Sequence, residues 1–170
     1  MKFYLIGFRG VGKSTIGREL ARRWGLEFLD LDEKFEQENG SILKFIEMHG
    51  IEKFREKEHS ILQTSEAKTS GIISTGGGWV DWELSRQFMQ RNPSPKVLLE
   101  ADLQEIWRRI QSPEKRKVLN LQSFEQMEAL FQAREPFYHK IATFRVPSQD
   151  ITVALTELDK LRDQLWQAAP

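Results

Sequence analysis

Gly7-Phe8-Arg9-Gly10-Val11-Gly12-Lys13-Ser14 fits the phosphate-binding pattern G-x-x-x-x-G-K-[ST]. Chemistry with a nucleoside triphosphate needs these residue types at this spacing. The glycines let the backbone curl and bring its N–H groups against an anion. Lys13 can then reach the β- and γ-phosphates, and the Ser14 hydroxyl can hold Mg²⁺. Gly10, Val11, Gly12, Lys13, Ser14 and Thr15 are therefore the expected nucleotide-binding positions. A chance match on a glycine-rich turn would lack the flanking context. Here the apolar run Phe3–Ile6 reads as a buried strand before the loop, and Thr15 to Trp24 reads as a helix after it. A loop between a strand and a helix N-terminus aims its amides at a bound anion.

Further candidates follow other strands. In Phe28-Leu29-Asp30-Leu31-Asp32 the two aspartates are two residues apart, so an extended chain points them the same way. One can serve Mg²⁺ through water. The other can accept a substrate hydroxyl's hydrogen bond and draw its proton, although a helix cap is an equally ordinary use of Asp32. Ile72–Thr75 runs into Gly76-Gly77-Gly78. Three glycines cost chain entropy that a plain turn rarely needs, so they suggest close backbone approach to a ligand. That strand ends in Thr75 where many phosphate-loop ATPases carry an acidic metal residue, which makes Asp30 the better metal candidate. Arg55 has Glu52 and Glu58 three residues to either side, enough for a surface ion pair. Arg134 has only Leu130, Phe131, Phe137 and Tyr138 at helical spacing, so its partner must come from elsewhere, such as a ligand carboxylate held bidentately. Arg109 precedes and Arg116 lies within Ser112–Lys117, which reads as a mobile loop able to close over a transferring phosphoryl group.

Positioning these groups requires an alternation of strands and helices. Strands are expected at Phe3–Ile6, Glu27–Leu29, Ile72–Ser74, Val97–Leu99 and Thr143–Val146. Helices are expected at Ile16–Trp24, Trp82–Gln90, Leu103–Ile110, Phe124–His139 and Ile151–Trp166. A long helical block over Glu33–Lys68 is broken at Gly40-Ser41 and Gly50-Ile51, and reads as an inserted helical subdomain. Such alternation implies an α/β fold, with a parallel sheet covered on both faces and ligands beyond the carboxyl ends of its strands. At 170 residues a single domain over 1–170 is expected. Zero formal net charge gives no broad footprint for nucleic acid. The lack of cysteine excludes disulfides, thiolate metal sites and thiol nucleophiles. No apolar run approaches the ~20 residues of a membrane span. The chain enters its first strand without a signal-peptide layout, so a cytoplasmic, monomeric protein is expected.

Taken in order, the phosphate loop, Asp30-Leu31-Asp32, Phe54-Arg55, Gly76–Gly78, Arg116 and Ala133-Arg134 with Tyr138 resemble the shikimate kinase family over nearly the whole chain. The resemblance implies a three-layer α/β/α P-loop fold of nucleoside-monophosphate-kinase type. Its five-stranded parallel sheet would have order 2-3-1-4-5, with a substrate-binding insertion at about 31–62 and a lid at about 111–122. It implies transfer of the γ-phosphoryl group of ATP to the 3-hydroxyl of shikimate, with Mg²⁺. On this resemblance Lys13, Asp32 and Arg116 are catalytic. Asp32, Arg55, Gly76, Gly77, Gly78 and Arg134 bind shikimate, Ser14 and Asp30 serve the metal, and Arg109 stacks on adenine. The chain departs from the family at the lid, where Arg116-Lys117-Val118-Leu119 stands for Arg-Pro-Leu-Leu. It also departs at Trp79, in place of a small residue, and at a short Pro147–Asp150 loop. Trp79 keeps a gluconate-kinase-like acceptor pocket in view, and a nucleotide-binding regulator without turnover is the other alternative.

Overall fold

The computed structural model describes residues 1–68, 70–118 and 120–168. Leu119, the last residue of the lid motif, lies outside them. Five strands form one parallel sheet: β1 (Lys2–Ile6), β2 (Phe28–Asp30), β3 (Gly71–Ser74), β4 (Lys96–Glu100) and β5 (Phe144–Pro147), in the order β2-β3-β1-β4-β5. The central strand β1 is the phosphate loop's apolar prelude. Its residues Phe3, Tyr4, Leu5 and Ile6 are fully buried, as a strand covered on both faces demands.

Among the described residues eight helices connect and flank these strands: α1 (Lys13–Trp24), α2 (Leu31–Asn39), α3 (Ile42–Thr64), α4 (Glu83–Arg91), α5 (Leu103–Arg109), α6 (Pro113–Val118), α7 (Phe124–Ile141) and α8 (Ile151–Ala168). Helix α1 buries Ile16, Leu20, Ala21 and Trp24, a stripe at helical spacing. It is joined to α8 by a Trp24 Nε1 to Asp159 Oδ1 hydrogen bond of 2.7 Å. The helical block is broken where the sequence indicates. Gly40 ends α2 at φ 76°, and Gly50 interrupts α3 at φ 83°, a left-handed value that costs glycine little.

Two expectations need correction. Ser112–Lys117 is not a loop: its greater part is helix α6, beginning at Pro113. Proline at a first helical position is favoured, because its missing N–H would have no partner there. Trp79 does not face a ligand space. It lies in a short 3-10 turn, Trp79–Asp81, at 1% exposure, with its ring edge-on to Tyr138 at 6.1 Å.

Candidate active site

The phosphate loop is closed from within. Gly10 and Gly12 take φ of 91° and 101°, and α1 starts at Lys13. The buried Lys13 ammonium donates to the carbonyls of Gly7 and Phe8 at 2.8 and 2.9 Å. Burial pulls its pKa down to about 8, against the opposing pull of the Asp32 and Asp30 carboxylates. Val11 turns its side chain into the core, whereas Ser14 and Thr15 are exposed on the first turn of α1. An open cleft of about 790 Å³ lies against Gly10, Gly12, Lys13, Ser14 and Thr15. Its opposite wall is Arg108, Arg109 and the chain from Gln149 to Thr152; Asp32, Thr75 and Gly77 also border it.

Arg109 borders this cleft with much of its hydrogen-bonding capacity turned to the protein. It donates to Glu105 Oε1 at 2.7 Å, to the carbonyls of Gly10 and Ser148 at 3.2 and 3.1 Å, and to Gln149 O at 2.6 Å. Rather than swinging with a loop, it ties the phosphate loop to the short segment after β5.

The two aspartates divide the work in an order the sequence left open. Asp30 is the helix cap: its Oδ1 accepts from Asp32 N at 3.0 Å and Glu33 N at 3.3 Å. Its buried Oδ2 has no hydrogen-bond partner among the described residues. Asp32 borders the cleft. Burial, and then the Glu58 and Asp30 carboxylates, push its pKa up to about 6, with Arg9 and Lys13 opposing.

The triple glycine admits close approach by other groups of the chain itself, backbone at Gly77 and side chains at Gly76 and Gly78. A Cβ at Gly76 would stand 2.6 Å from Asp32 Oδ1 and from Glu58 Oε1. At Gly77 it would stand 2.7 Å from the Arg9 amide nitrogen, and at Gly78 2.6 Å from Arg55 Cζ. The loop is held from behind, where the Tyr138 hydroxyl donates to the Gly77 carbonyl. A second cavity of about 30 Å³ lies among Asp32, Arg55, Glu58, Gly78, Ile51 of α3 and Val118 of α6. Both cavities are bordered by Arg9, Asp32 and Gly77.

Arg55 and Arg134, far apart in sequence, meet at one carboxylate. Arg134 donates from Nε to Asp81 Oδ1 at 2.9 Å and from Nη2 to Asp81 Oδ2 at 2.5 Å. Arg55 donates to the same Oδ2 at 2.8 Å and to Glu58 Oε2 at 2.7 Å. The ion pair of Arg55 with Glu58 foreseen from helical spacing thus exists, but it is largely withdrawn from the surface, with side chains 11% and 8% exposed. The distant partner foreseen for Arg134 also exists, and it belongs to the chain. Arg134 Nη1 is buried without an acceptor among the described residues.

Arg116 is not brought to the cleft. Its guanidinium lies over the Trp107 ring at 5.8 Å, and its Nε is buried without a partner among the described residues. Sequence reasoning also passed over three residues of the site. Arg9 was visible as a variable position inside the phosphate loop. Glu58 was visible as the neighbour of Arg55. Asp81 had no signal beyond its distance of three residues from Gly78.

Residues 9–162 match the family model described as Shikimate kinase. A shikimate kinase of Legionella pneumophila (strain Corby) is 35% identical over 152 residues, covering 88% of this chain and 86% of the relative. A shikimate kinase of Histophilus somni (strain 2336) is 33% identical over 155 residues, covering 89% and 88%. The solved structure of a shikimate kinase from Acinetobacter baumannii in complex with shikimate superposes with a TM-score of 0.85 at 27% identity, covering 98% of this chain and 93% of that one. The sheet order expected from the resemblance agrees with these likenesses. The chain belongs to the shikimate kinase family.

Proposed function

We propose that this chain transfers the γ-phosphoryl group of ATP to the 3-hydroxyl of shikimate, with the residues of the two cavities in the following roles. The observation that supports this most is that one carboxylate, Asp32, borders both the nucleotide-sized cleft and the small cavity beside Arg55. A hydroxyl held by Asp32 would therefore lie at the junction between a bound triphosphate and an arginine-gripped acceptor. Amides of the loop Gly10–Thr15 and the Lys13 ammonium bind the phosphates. Arg55 and Arg134 take the acceptor's carboxylate, and Gly76–Gly78 keep the intervening backbone thin. Asp32 accepts the 3-hydroxyl proton as that oxygen attacks the γ-phosphorus and the bond to the β-phosphate oxygen breaks, releasing ADP. Its raised pKa of about 6 suits that exchange near neutrality.

Magnesium fits the donors present. Ser14 is exposed at the end of the phosphate loop, and Asp30 has one oxygen committed to the α2 cap and the other without a partner among the described residues. The ion, when bound with ATP, would neutralise phosphate charge. Ser14 would reach it directly and Asp30 through water. Arg109 keeps the far wall of the cleft in place for the base.

A cavity of about 30 Å³ is one water's share of volume, so a six-membered ring acid enters only when its walls part. Val118 is the wall residue on α6, facing the α3 residues Ile42, Ile51, Phe54, Arg55 and Glu58, and α6 is the lid of this reading. Arg116 reaches the phosphates only if it leaves Trp107 as the lid moves. We also read the protein as a cytoplasmic monomer; no helix among the described residues is long and apolar enough to cross a membrane. A gluconate-type acceptor has no observation in its favour, because Trp79 is buried behind the glycine loop.

The test is ADP release by the purified protein with ATP and magnesium, alone, with shikimate and with gluconate. Strong stimulation by shikimate only is expected. Stimulation by gluconate instead, or indifference to both, overturns the reading.

A further inference from the structure

Arg55 lines the small cavity beside Asp32, Arg134 is buried next to it, and both guanidinium groups are already engaged by one carboxylate of the chain. Asp81 meets Arg134 through two parallel hydrogen bonds, Nε to Oδ1 and Nη2 to Oδ2, and its Oδ2 also accepts from Arg55. Two parallel N–H···O bonds to one carboxylate are also the geometry in which an arginine holds a carboxylated ligand. The arginines are fixed: their side chains are 11% and 5% exposed, and Glu58 holds Arg55 from the other side. Asp81 is different. Its side chain is 35% exposed, and it sits in the 3-10 turn that closes on Gly78 through an Asp81 N to Gly78 O hydrogen bond of 3.0 Å. A rotation about its side-chain bonds exchanges two guanidinium partners for water without disturbing the core.

We propose that Asp81 is a specificity-determining residue that competes from within for the site of the acceptor's carboxylate. This rests on the reading of Arg55 and Arg134 as the acceptor's grip. The charges of Arg55 and Arg134 are matched by Glu58 and Asp81 before any acceptor arrives. A monoanionic acceptor added to that group would leave unmatched negative charge in a buried place, which is costly. Replacement of one carboxylate by another keeps the balance. The unused Arg134 Nη1 offers the incoming carboxylate a hydrogen bond that Asp81 does not take. Two consequences follow. Acceptor affinity is reduced by the fraction of molecules in which Asp81 still holds the arginines. Neutral polyols are rejected, because they bring no charge able to displace it.

The experiment compares wild type, Asp81→Asn, Asp81→Ser and Asp81→Glu for KM and kcat with shikimate, with the methyl ester of shikimate, and for KM with ATP. A melting curve establishes that each variant is folded, and Asp81→Ser, a residue at home in turns, stands in should the Asn variant fail. The expected result is a fall of about tenfold in KM for shikimate in the Asn or Ser variant, about the worth of one charge-assisted hydrogen bond no longer competed for. The ester should gain much less, KM for ATP should hold, and Asp81→Glu, which keeps the charge, should stay close to wild type. A KM for shikimate that is unchanged or higher in a folded Asn or Ser variant makes Asp81 a brace for the arginines and overturns the proposal. If wild type and variants all fail to phosphorylate shikimate, the acceptor reading itself falls, and the competition with it.

Discussion

Replacing Asp32 by asparagine should stabilise this protein while removing its turnover. The reasoning starts from a carboxyl whose pKa is raised from 3.8 to about 6 by burial and by neighbouring carboxylates. A carboxyl with a raised folded-state value is penalised when ionised. Between about pH 4 and pH 6 the folded chain binds more protons than the unfolded one, so wild-type stability falls as pH rises through that window. Above it the penalty is present in full. The shift of about two units corresponds to about 3 kcal/mol at 1.36 kcal/mol per unit, and partial exposure of Asp32 makes that an upper bound. Asparagine copies the protonated shape without the charge. A gain of about 1–2 kcal/mol at neutral pH, or about 2–8 °C in Tm for a chain of this size, is expected. Thermal denaturation of both proteins at a series of pH values reads it. The gap should close as the pH falls toward 4, where wild-type Asp32 protonates. An asparagine variant no more stable than wild type at neutral pH, or a gap independent of pH, refutes the argument that Asp32 is held against its electrostatic preference.

Other consequences of the same geometry are open to test. Asp32 at about 6 and Lys13 at about 8 predict a bell-shaped profile of kcat/KM for ATP, falling about tenfold from pH 7 to pH 5 and again from pH 7 to pH 9. An acid limb at the ordinary carboxylate value would remove Asp32 as the titrating group. Gly78→Ala should drive Arg55 off its position, since the new Cβ would stand 2.6 Å from Arg55 Cζ. KM for shikimate should rise about tenfold or more, the worth of a disturbed charge pair, with KM for ATP nearly constant. Parallel losses for both substrates would mean that the loop had collapsed instead.

The sheet and the phosphate loop were legible because their signals are local. Strands β1, β3 and β4 are built on short apolar runs, and the loop's glycines and lysine lie within eight consecutive residues. The breaks at Gly40 and Gly50 were legible for the same reason. Helix α6 was missed because charge and proline were weighed as loop signals, although proline favours the first turn of a helix. Trp79 was misjudged by adjacency: the 3-10 turn after Gly78 rotates it away from the cavities and into the core. The Asp81 bridge was out of reach, since the residue lies 53 positions from Arg134 and 26 from Arg55. Sequence showed that Arg134 lacked a local carboxylate. Only the tertiary packing of the Trp79–Asp81 turn against α3 and α7 supplied one.

The grip of Arg55 and Arg134 on a carboxylate is the claim on which the acceptor assignment stands. Its most direct measurement is kcat/KM for shikimate and for its methyl ester, in wild type and in Arg134→Ala. The account predicts that wild type prefers the acid by about 2 kcal/mol or more, roughly thirtyfold, and that most of this preference vanishes in Arg134→Ala. Equal use of acid and ester by wild type, or a preference that survives the loss of Arg134, would contradict it.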